Sequence, residues 1–451
     1  MQPDKLIRPA YAEGFHCIGS ACEDTCCQDW AVPIDKATYE KYQNMPAGPM
    51  RTLLESAVVP NPEKPAPATF AIIKMSPTTG QCPMLSEGGL CGIQQVHGEE
   101  MLSHICKTYP RIVHSIQGLS ETSLTLSCPE AARVVLLNPK LLGPRGRGAD
   151  MLTWNGTSQI SGPLTPYFWP IREFALTLIQ NRNYPIWQRL FLLGIFARRF
   201  DALVPAELPR VFPAFLSDFS SAVASGSLRT AMESIPADNA QQLDIVLQLA
   251  GVLLHRSIIK RRFVDCIQAF TKGIGNGPGA TMESITAHFS AAHDEYYAPF
   301  FDRHPYILEN YLINTIFRCQ FPFGKDGKLP DAKPSVAKEF ALLTTQYALM
   351  KGLLIGVSGF YRESFNTEHV VHTFQAAAKH FEHHPAFLEL AHNLLVETQM
   401  DGARGLTILL RNGHANVSRP PLPGTYLPVV PVGAATVAMP PLPTPSRRPA
   451  A

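Results

Sequence analysis

Charge is scarce in this sequence: Asp, Glu, Lys and Arg make up 17% of 451 residues and nearly cancel to a net +2. So small an imbalance gives neither a basic footprint for nucleic acid nor an acidic surface calling for a cationic partner. Long apolar runs are also missing. The longest nearly uncharged one, Ile245 to Leu254, falls far short of the roughly 20 residues that span a bilayer, so no membrane role is expected. The opening MQPDKLIRPAYAEGF lacks the apolar core of a secretory signal, which predicts a cytoplasmic protein with reduced thiols. No repeat of fixed period marks a solenoid. After residue 130 cysteine is nearly absent too, with only Cys266 and Cys319.

The first 130 residues hold the other eight of the ten cysteines: Cys17, Cys22, Cys26 and Cys27, then Cys82, Cys91 and Cys106, then Cys128. Such density implies one local chemical purpose, and three are open: disulfides, zinc or an iron centre. Disulfides need an oxidising compartment. Zinc favours paired spacings of two to four residues, which only Cys22-x3-Cys26 provides. Iron–sulfur sites also use thiolates, often with proline directly after a ligating cysteine, as in Cys82-Pro83 and Cys128-Pro129.

Local geometry adds expectations. A helical turn would put Cys22 and Cys26 on one face, and adjacent Cys26 and Cys27 would point in different directions. Gly88-Gly89 between short apolar arms predicts a hairpin that returns Cys91 to Cys82. Ser127-Cys-Pro-Glu130 reads as a capping box with Pro129 at the first helical position, placing Cys128 at a helix N-terminus, where the thiolate is favoured.

The segments Phe15-His-Cys17, Cys22-Glu-Asp-Thr-Cys-Cys-Gln-Asp-Trp30, Cys82-Pro-Met-Leu85, Leu90-Cys-Gly-Ile93 and His104-Ile-Cys-Lys-Thr-Tyr-Pro-Arg111 together resemble the flagellin lysine N-methylases. The cysteine layout is also similar to that of a broader group of zinc- or iron-chelating proteins. The resemblance continues through Ser127–Arg133, Glu309–Asn314 and Phe321-Pro-Phe323, and more loosely around 370–396, covering most of residues 1–400. It implies transfer of methyl groups from S-adenosylmethionine to flagellin lysines by an enzyme carrying an iron–sulfur cluster, of the 4Fe–4S kind. Cys17, Cys22, Cys26, Cys27, Cys82, Cys91, Cys106 and Cys128 are the candidate metal ligands. The third cysteine of a radical-type Cys-x3-Cys-x2-Cys falls on Asp29, which argues against a radical mechanism. A non-catalytic chelator and an iron–sulfur oxidoreductase remain the alternatives.

Along the chain, Asp35 predicts the cap of a short helix through Tyr42, the proline-rich Val58–Ala68 a loop, and Thr69–Met75 a strand. Ile112–Ile116 and Ser123–Ser127 flank a turn as a hairpin. Helical apolar stripes then recur at 171–179, 187–203, 240–259, 336–357 and 386–399. The expected fold is mainly α: a small mixed α/β cysteine-rich metal-binding region at 1–148, an all-helical domain at 149–414, and a disordered tail at 415–451, where ten prolines fall between Pro420 and Pro449.

Gly273–Gly279 follows an apparent helix rather than a strand and reads as a connector. Glu309, Asn310, Tyr311 and Asn314, set among apolar neighbours, form either an interhelical hydrogen-bond network or a pocket. In the pocket reading Glu309 is the base, Tyr311 the positioner, and Asn310 and Asn314 hold the methyl donor. Tyr109 and Arg111 either orient substrate or brace the metal loop. The active site is expected where the Cys106–Arg111 segment meets the 309–314 helix. His369, His372, His380, His383 and His384 lack a matching acid or cysteine nearby and read as surface or core histidines.

Overall fold

A computed structural model describes residues 9–28, 30, 32–62, 66–116, 119–142, 164–254, 260–324, 334–382 and 386–413. The proline-rich tail, Asp29, His383 and His384 lie outside these residues.

The fold is mainly helical with a small α/β region near its start, as expected. Three short strands, β1 (Val32–Ile34), β2 (Val58–Pro60) and β3 (Ala71–Ile73), form an antiparallel sheet in the order β1-β3-β2. Part of the predicted proline-rich loop is therefore strand: Val58 and Val59 pair with Ile73 and Ile72, and Pro60 is tolerated because β2 is an edge. Asp35 caps Lys36–Gln43 as predicted, its carboxylate accepting from Thr38 N at 2.9 Å. Strands β4 (Arg111–Ile116) and β5 (Leu119–Leu124) make the expected hairpin. Its second arm starts earlier than predicted because Ile116 pairs with Leu119 across a two-residue connection.

Helix α1 (Pro129–Leu136) follows, and the helical body consists of α2 (Phe168–Ile179), α3 (Ile186–Asp201), α4 (Leu208–Ser225), α5 (Asn239–Leu254), α6 (Arg261–Gly273), α7 (Met282–Ala292), α8 (Tyr306–Arg318), α9 (Val336–Tyr361), α10 (Thr367–Phe381), α11 (Phe387–Glu397) and α12 (Ala403–Leu410). Every predicted apolar stripe falls on one of these helices over its described residues, positions 255–259 of the 240–259 stripe lying outside them. Gly273–Gly279 connects α6 to α7.

Helix α9 is the hub, apolar nearly all round and buried along most of its length. The segment Val336–Ser364 is long and apolar enough to cross a membrane, but protein packs its most apolar window on every side. Its start is fixed by Asp201, whose carboxylate accepts from Val336 N at 3.0 Å and Ala337 N at 2.9 Å, and by Ser335, which accepts from Lys338 N. Near its end, Gly356 meets Gly273 of α6 so closely that a Cβ on Gly273 would lie 1.7 Å from the Gly356 carbonyl oxygen.

Two buried clusters result, and they do not follow the division at residue 148. A small one lies around β1–β3 and Leu102. The large one takes in the helices together with Tyr11, Phe15, the β4–β5 hairpin and α1. The hairpin is locked to the helices by Arg172 of α2, which donates to both Glu121 carboxylate oxygens, at 2.8 and 2.9 Å, in full burial.

Candidate functional site: a thiol-lined cavity and the seam beside it

All ten cysteines are free thiols, which removes the disulfide alternative from this structure. Five of them, Cys26, Cys27, Cys82, Cys91 and Cys106, line one small cavity of about 70 Å3, walled otherwise by mostly apolar and aromatic side chains that include Trp30, Ile73 and Tyr109, with Gln94 and Ser103 as polar exceptions.

Each thiol arrives by its own local device. The loop after Ser86 turns at Gly89, with φ of 75°, and returns so that Gly92 N donates to Met84 O at 2.7 Å; the expected hairpin thus brings Cys91 to Cys82. Ser103 caps the short helix His104–Thr108 by accepting from Cys106 N, which turns Cys106 inward.

The 22–28 segment departs from expectation. Cys22 is in extended backbone, so it does not share a helical face with Cys26. Cys26 and Cys27 do not diverge but line the same cavity and hydrogen-bond to each other. Tertiary bonds impose this bend: Trp30 Nε1 donates to Cys26 O at 2.7 Å, and Lys379 Nζ of α10 donates to Thr25 O at 2.8 Å and Asp24 Oδ2 at 2.7 Å.

Cys128 is at the N-cap of α1 as predicted, with Pro129 first in the helix, but the capping box is absent: Cys128 itself is the N-cap and makes no side-chain cap bond. Ser127 instead shares hydrogen bonds with Thr125 at 2.8 Å and Tyr109 at 3.0 Å. Burial outweighs the helix N-terminus and pushes the Cys128 thiol up to about 12, opposite to the expected favouring of the thiolate. Cys22 and Cys17 stand outside the five-thiol cavity, and Cys22 is close enough to Cys128 for their charges to interact.

Burial likewise raises Cys82 to about 11 and Cys106 to about 12, and each further thiolate nearby raises them more. Cys26, the most exposed of the five, falls to about 7 because it accepts the bond from Cys27 and feels Lys379. Charging this set of thiols needs a cation among them, which is what a metal centre provides. As they stand, no three His, Cys, Asp or Glu side chains among the described residues are gathered tightly enough for one metal ion. The donor set, soft thiols in a mostly apolar cavity, fits an iron–sulfur cluster, whose ligands spread over several irons.

The other predicted site residues are in place but not in one cleft. Tyr109 lines the thiol cavity, whereas Glu309, Asn310, Tyr311 and Asn314 do not. Arg111 donates to Phe15 O at 2.6 Å and stacks on the Phe15 ring, bracing the N-terminal segment. Glu309 accepts from Arg182 and Arg189 in three contacts of 3.0 Å, so both carboxylate oxygens are already engaged by guanidiniums. Asn310 Nδ2 donates to the carbonyls that end α1, at 2.7 Å to Asn138 O and 3.0 Å to Val135 O. Asn314 grips β5 by accepting from Leu124 N and donating to Leu124 O, and also accepts from Tyr11. Tyr311 is buried against Phe374, its hydroxyl without a partner among the described residues. The network reading of these four polar residues therefore describes the geometry.

What the residue pattern missed is a large cleft, about 710 Å3, along the seam between the cysteine region and helices α6 and α10. Glu23 and Arg133 reach it from the cysteine side, and Arg262, Asp265, Tyr361 and His372 from the helical side. Glu23 pairs with Arg133, so the cleft is floored one residue from Cys22 and little more than one helical turn from Cys128. A smaller hollow of about 350 Å3 shares Glu23 and Arg262 with it. The only signal in the sequence was the i, i+3 spacing of His369 and His372.

A family model described as the FliB lysine N-methylase C-terminal domain matches residues 172–409. The chain is 25% identical over 395 residues to the lysine-N-methylase of Salmonella typhimurium and equally to that of Salmonella choleraesuis, the match covering 84% of this chain and 93% of each relative. It is also 34% identical over 139 residues to the flagellar biosynthetic protein FliU of Salmonella muenchen, 31% of this chain and 81% of that one. No solved structure matches. Since the family model spans more than half of the sequence, and full-length relatives carry the same activity in their names, the chain belongs to the FliB lysine N-methylase family and is a protein-lysine methyltransferase.

Proposed function

We propose that the protein methylates lysine side chains of flagellin with S-adenosylmethionine as donor, and that the cavity thiols hold an iron–sulfur cluster. The observation that carries the cluster is the convergence of Cys26, Cys27, Cys82, Cys91 and Cys106 on one mostly apolar cavity. Flagellin as substrate is supported by the flagellar name of one relative. The cytoplasm is the proposed place of action, since ten free thiols persist only where reducing systems operate.

The reaction requires a neutral amine. A lysine ammonium, ordinarily near pKa 10.4, must first give up its proton to solvent water at the open mouth of the cleft; its lone pair then forms the N–C bond as the S–C bond breaks, the sulfonium becomes a thioether and the product is the methylated ammonium. The seam cleft is the proposed place for this step. Its volume is within the range of roughly 300–1,000 Å3 usual for small-molecule sites, it opens to the surface, and Glu23 on its lining is next in sequence to Cys22. Bound in the cavity, a cluster would supply the positive charge that keeps the thiols ionised and an iron for the donor's amino-acid end. The chain's own part is to wall the cavity with apolar side chains, among them Trp30 and Tyr109, whose rings lie 6.0 Å apart.

Anaerobic purification with iron, sulfide and visible-absorption measurements, followed by mass spectrometry of flagellin incubated with the protein and adenosylmethionine, tests both halves. Iron with sulfide and added methyl groups on lysines are expected. A colourless, zinc-loaded protein would sink the cluster, and unmodified flagellin in the presence of donor would sink the substrate.

A further inference from the structure

Two carboxylates in the seam cleft are left open, whereas of its cations Arg133 is ion-paired, Arg262 is hydrogen-bonded to a neutral amide and Lys272 lies over the Phe360 ring. Among the described residues, neither the carboxylate of Asp265 on α6 nor that of Glu368 on α10 has a hydrogen-bond or salt-bridge partner, and the His372 ring has no hydrogen bond. Arg133, by contrast, is held by Glu23 and by Glu130 at 2.7 Å, and Arg262 Nε donates to Gln375 Oε1 at 2.8 Å. The free groups therefore ask for a ligand that brings donors and positive charge. The wall suits an alkyl-ammonium: Tyr361 and His369 stack at 3.6 Å into a flat face, and the protein's own Lys272 lays its ammonium 5.7 Å from the Phe360 ring. Burial first, and then Arg262, hold His372 down at about 4, so its ring is neutral at physiological pH and accepts a hydrogen bond without carrying charge.

We infer that this cleft receives the target lysine of the protein substrate, its ammonium drawn in by Asp265 and Glu368, its stem laid along the Tyr361–His369 face, and its nitrogen held by the His372 ring. The inference rests on the methylase reading above and adds the place and residues of lysine recognition. The division of labour follows from the chemistry. Carboxylates at the rim attract an ammonium, but one placed against the reacting nitrogen would keep it protonated. A neutral imidazole there accepts an N–H and leaves the lone pair free for the methyl carbon. His372 is in this sense a positioning residue.

Two measurements on the full-length protein test this. Zero-length carbodiimide coupling to flagellin, read by mass spectrometry, needs neither cluster nor donor, and is expected to join flagellin lysines to Asp265 or Glu368. In methylation assays, Asp265→Asn with Glu368→Gln is expected to raise KM for flagellin roughly tenfold while kcat and the KM for adenosylmethionine stay near those of the parent. His372→Phe is expected to lower kcat, and His372→Gln, which keeps an acceptor, to restore part of it. If the acidic pair leaves the flagellin KM unchanged and shifts the donor KM instead, the cleft is the donor's site and the inference is overturned. Coupling to carboxylates elsewhere overturns it too. Should flagellin never be methylated yet still couple at Asp265 or Glu368, the methylase reading fails while lysine recognition stands.

Discussion

The unit around Cys27 to Cys106 and the helical body beside it are held together by different means. The helical body is conventional: helices of up to 26 residues bury aromatic and branched side chains around α9, and its buried Arg172 is ion-paired with Glu121. The small unit has strands of three residues, short helices and a thin apolar cluster that gives onto five thiols. A unit of that size rarely stands on burial alone and commonly depends on a covalent or metal staple. Cysteine density thus coincides with the thinner apolar cluster, and an iron–sulfur cluster held by these thiols as proposed would also staple the small unit.

The sharpest way to break this comparison is to remove thiols from each region. Cys26→Ser with Cys106→Ser is expected to abolish bound iron and loosen the small unit, seen as rapid amide exchange over residues 27–106 with the helical circular dichroism nearly retained. Cys266→Ser, buried in α6, is expected to leave the iron content untouched and to cost only about 1–3 kcal/mol for burying a more polar group. Equal loss of iron from both variants would end the distinction.

A smaller effect tests whether the hairpin belongs to the helical body. Glu121→Gln leaves the fully buried Arg172 guanidinium without a counter-charge and is expected to cost about 3–5 kcal/mol in denaturant unfolding, with iron unchanged. A change near zero would place β4–β5 outside the cooperative unit.

The smallest effect concerns α9. Burial depresses the Lys351 ammonium to about 7, with Leu410 O accepting its hydrogen bond at 2.7 Å. The unfolded chain holds that proton up to its ordinary value near 10.4, so between pH 7 and 10 it binds more protons than the folded protein and stability rises with pH. The slope from this group approaches about 1.4 kcal/mol per unit. Below about 7 both states are protonated and the slope vanishes. Lys351→Met is expected to flatten the rise, which urea titrations at pH 7, 8 and 9 would show.

Legibility in the sequence tracked how local each cause is. The Asp35 cap, the Cys82–Cys91 return, Cys128 at a helix start and the helical stripes all depend on residues within a turn or two, and all were readable. The Cys26–Cys27 pair was not, because its conformation is imposed by Lys379, some 350 residues away. Whether Glu309 belongs to a network or a pocket stayed open for the same kind of reason: a glutamate on an apolar helix gives no hint that Arg182 and Arg189 converge on it.

By itself, then, the sequence determined the mainly helical class, the concentration of thiols in the first third, and through its motifs the methylase family. The first two follow from periodicity, capping and residue counts, which act over a few residues, and the family follows from the resemblance of its motifs. Only the tertiary structure decided which five thiols share a cavity, that the hairpin and α1 join the helical core, and that Glu23, Arg133, Asp265 and His372 border one cleft. Those outcomes depend on which faces of distant helices meet, and that is settled by burying all the apolar stripes at once rather than by any one of them.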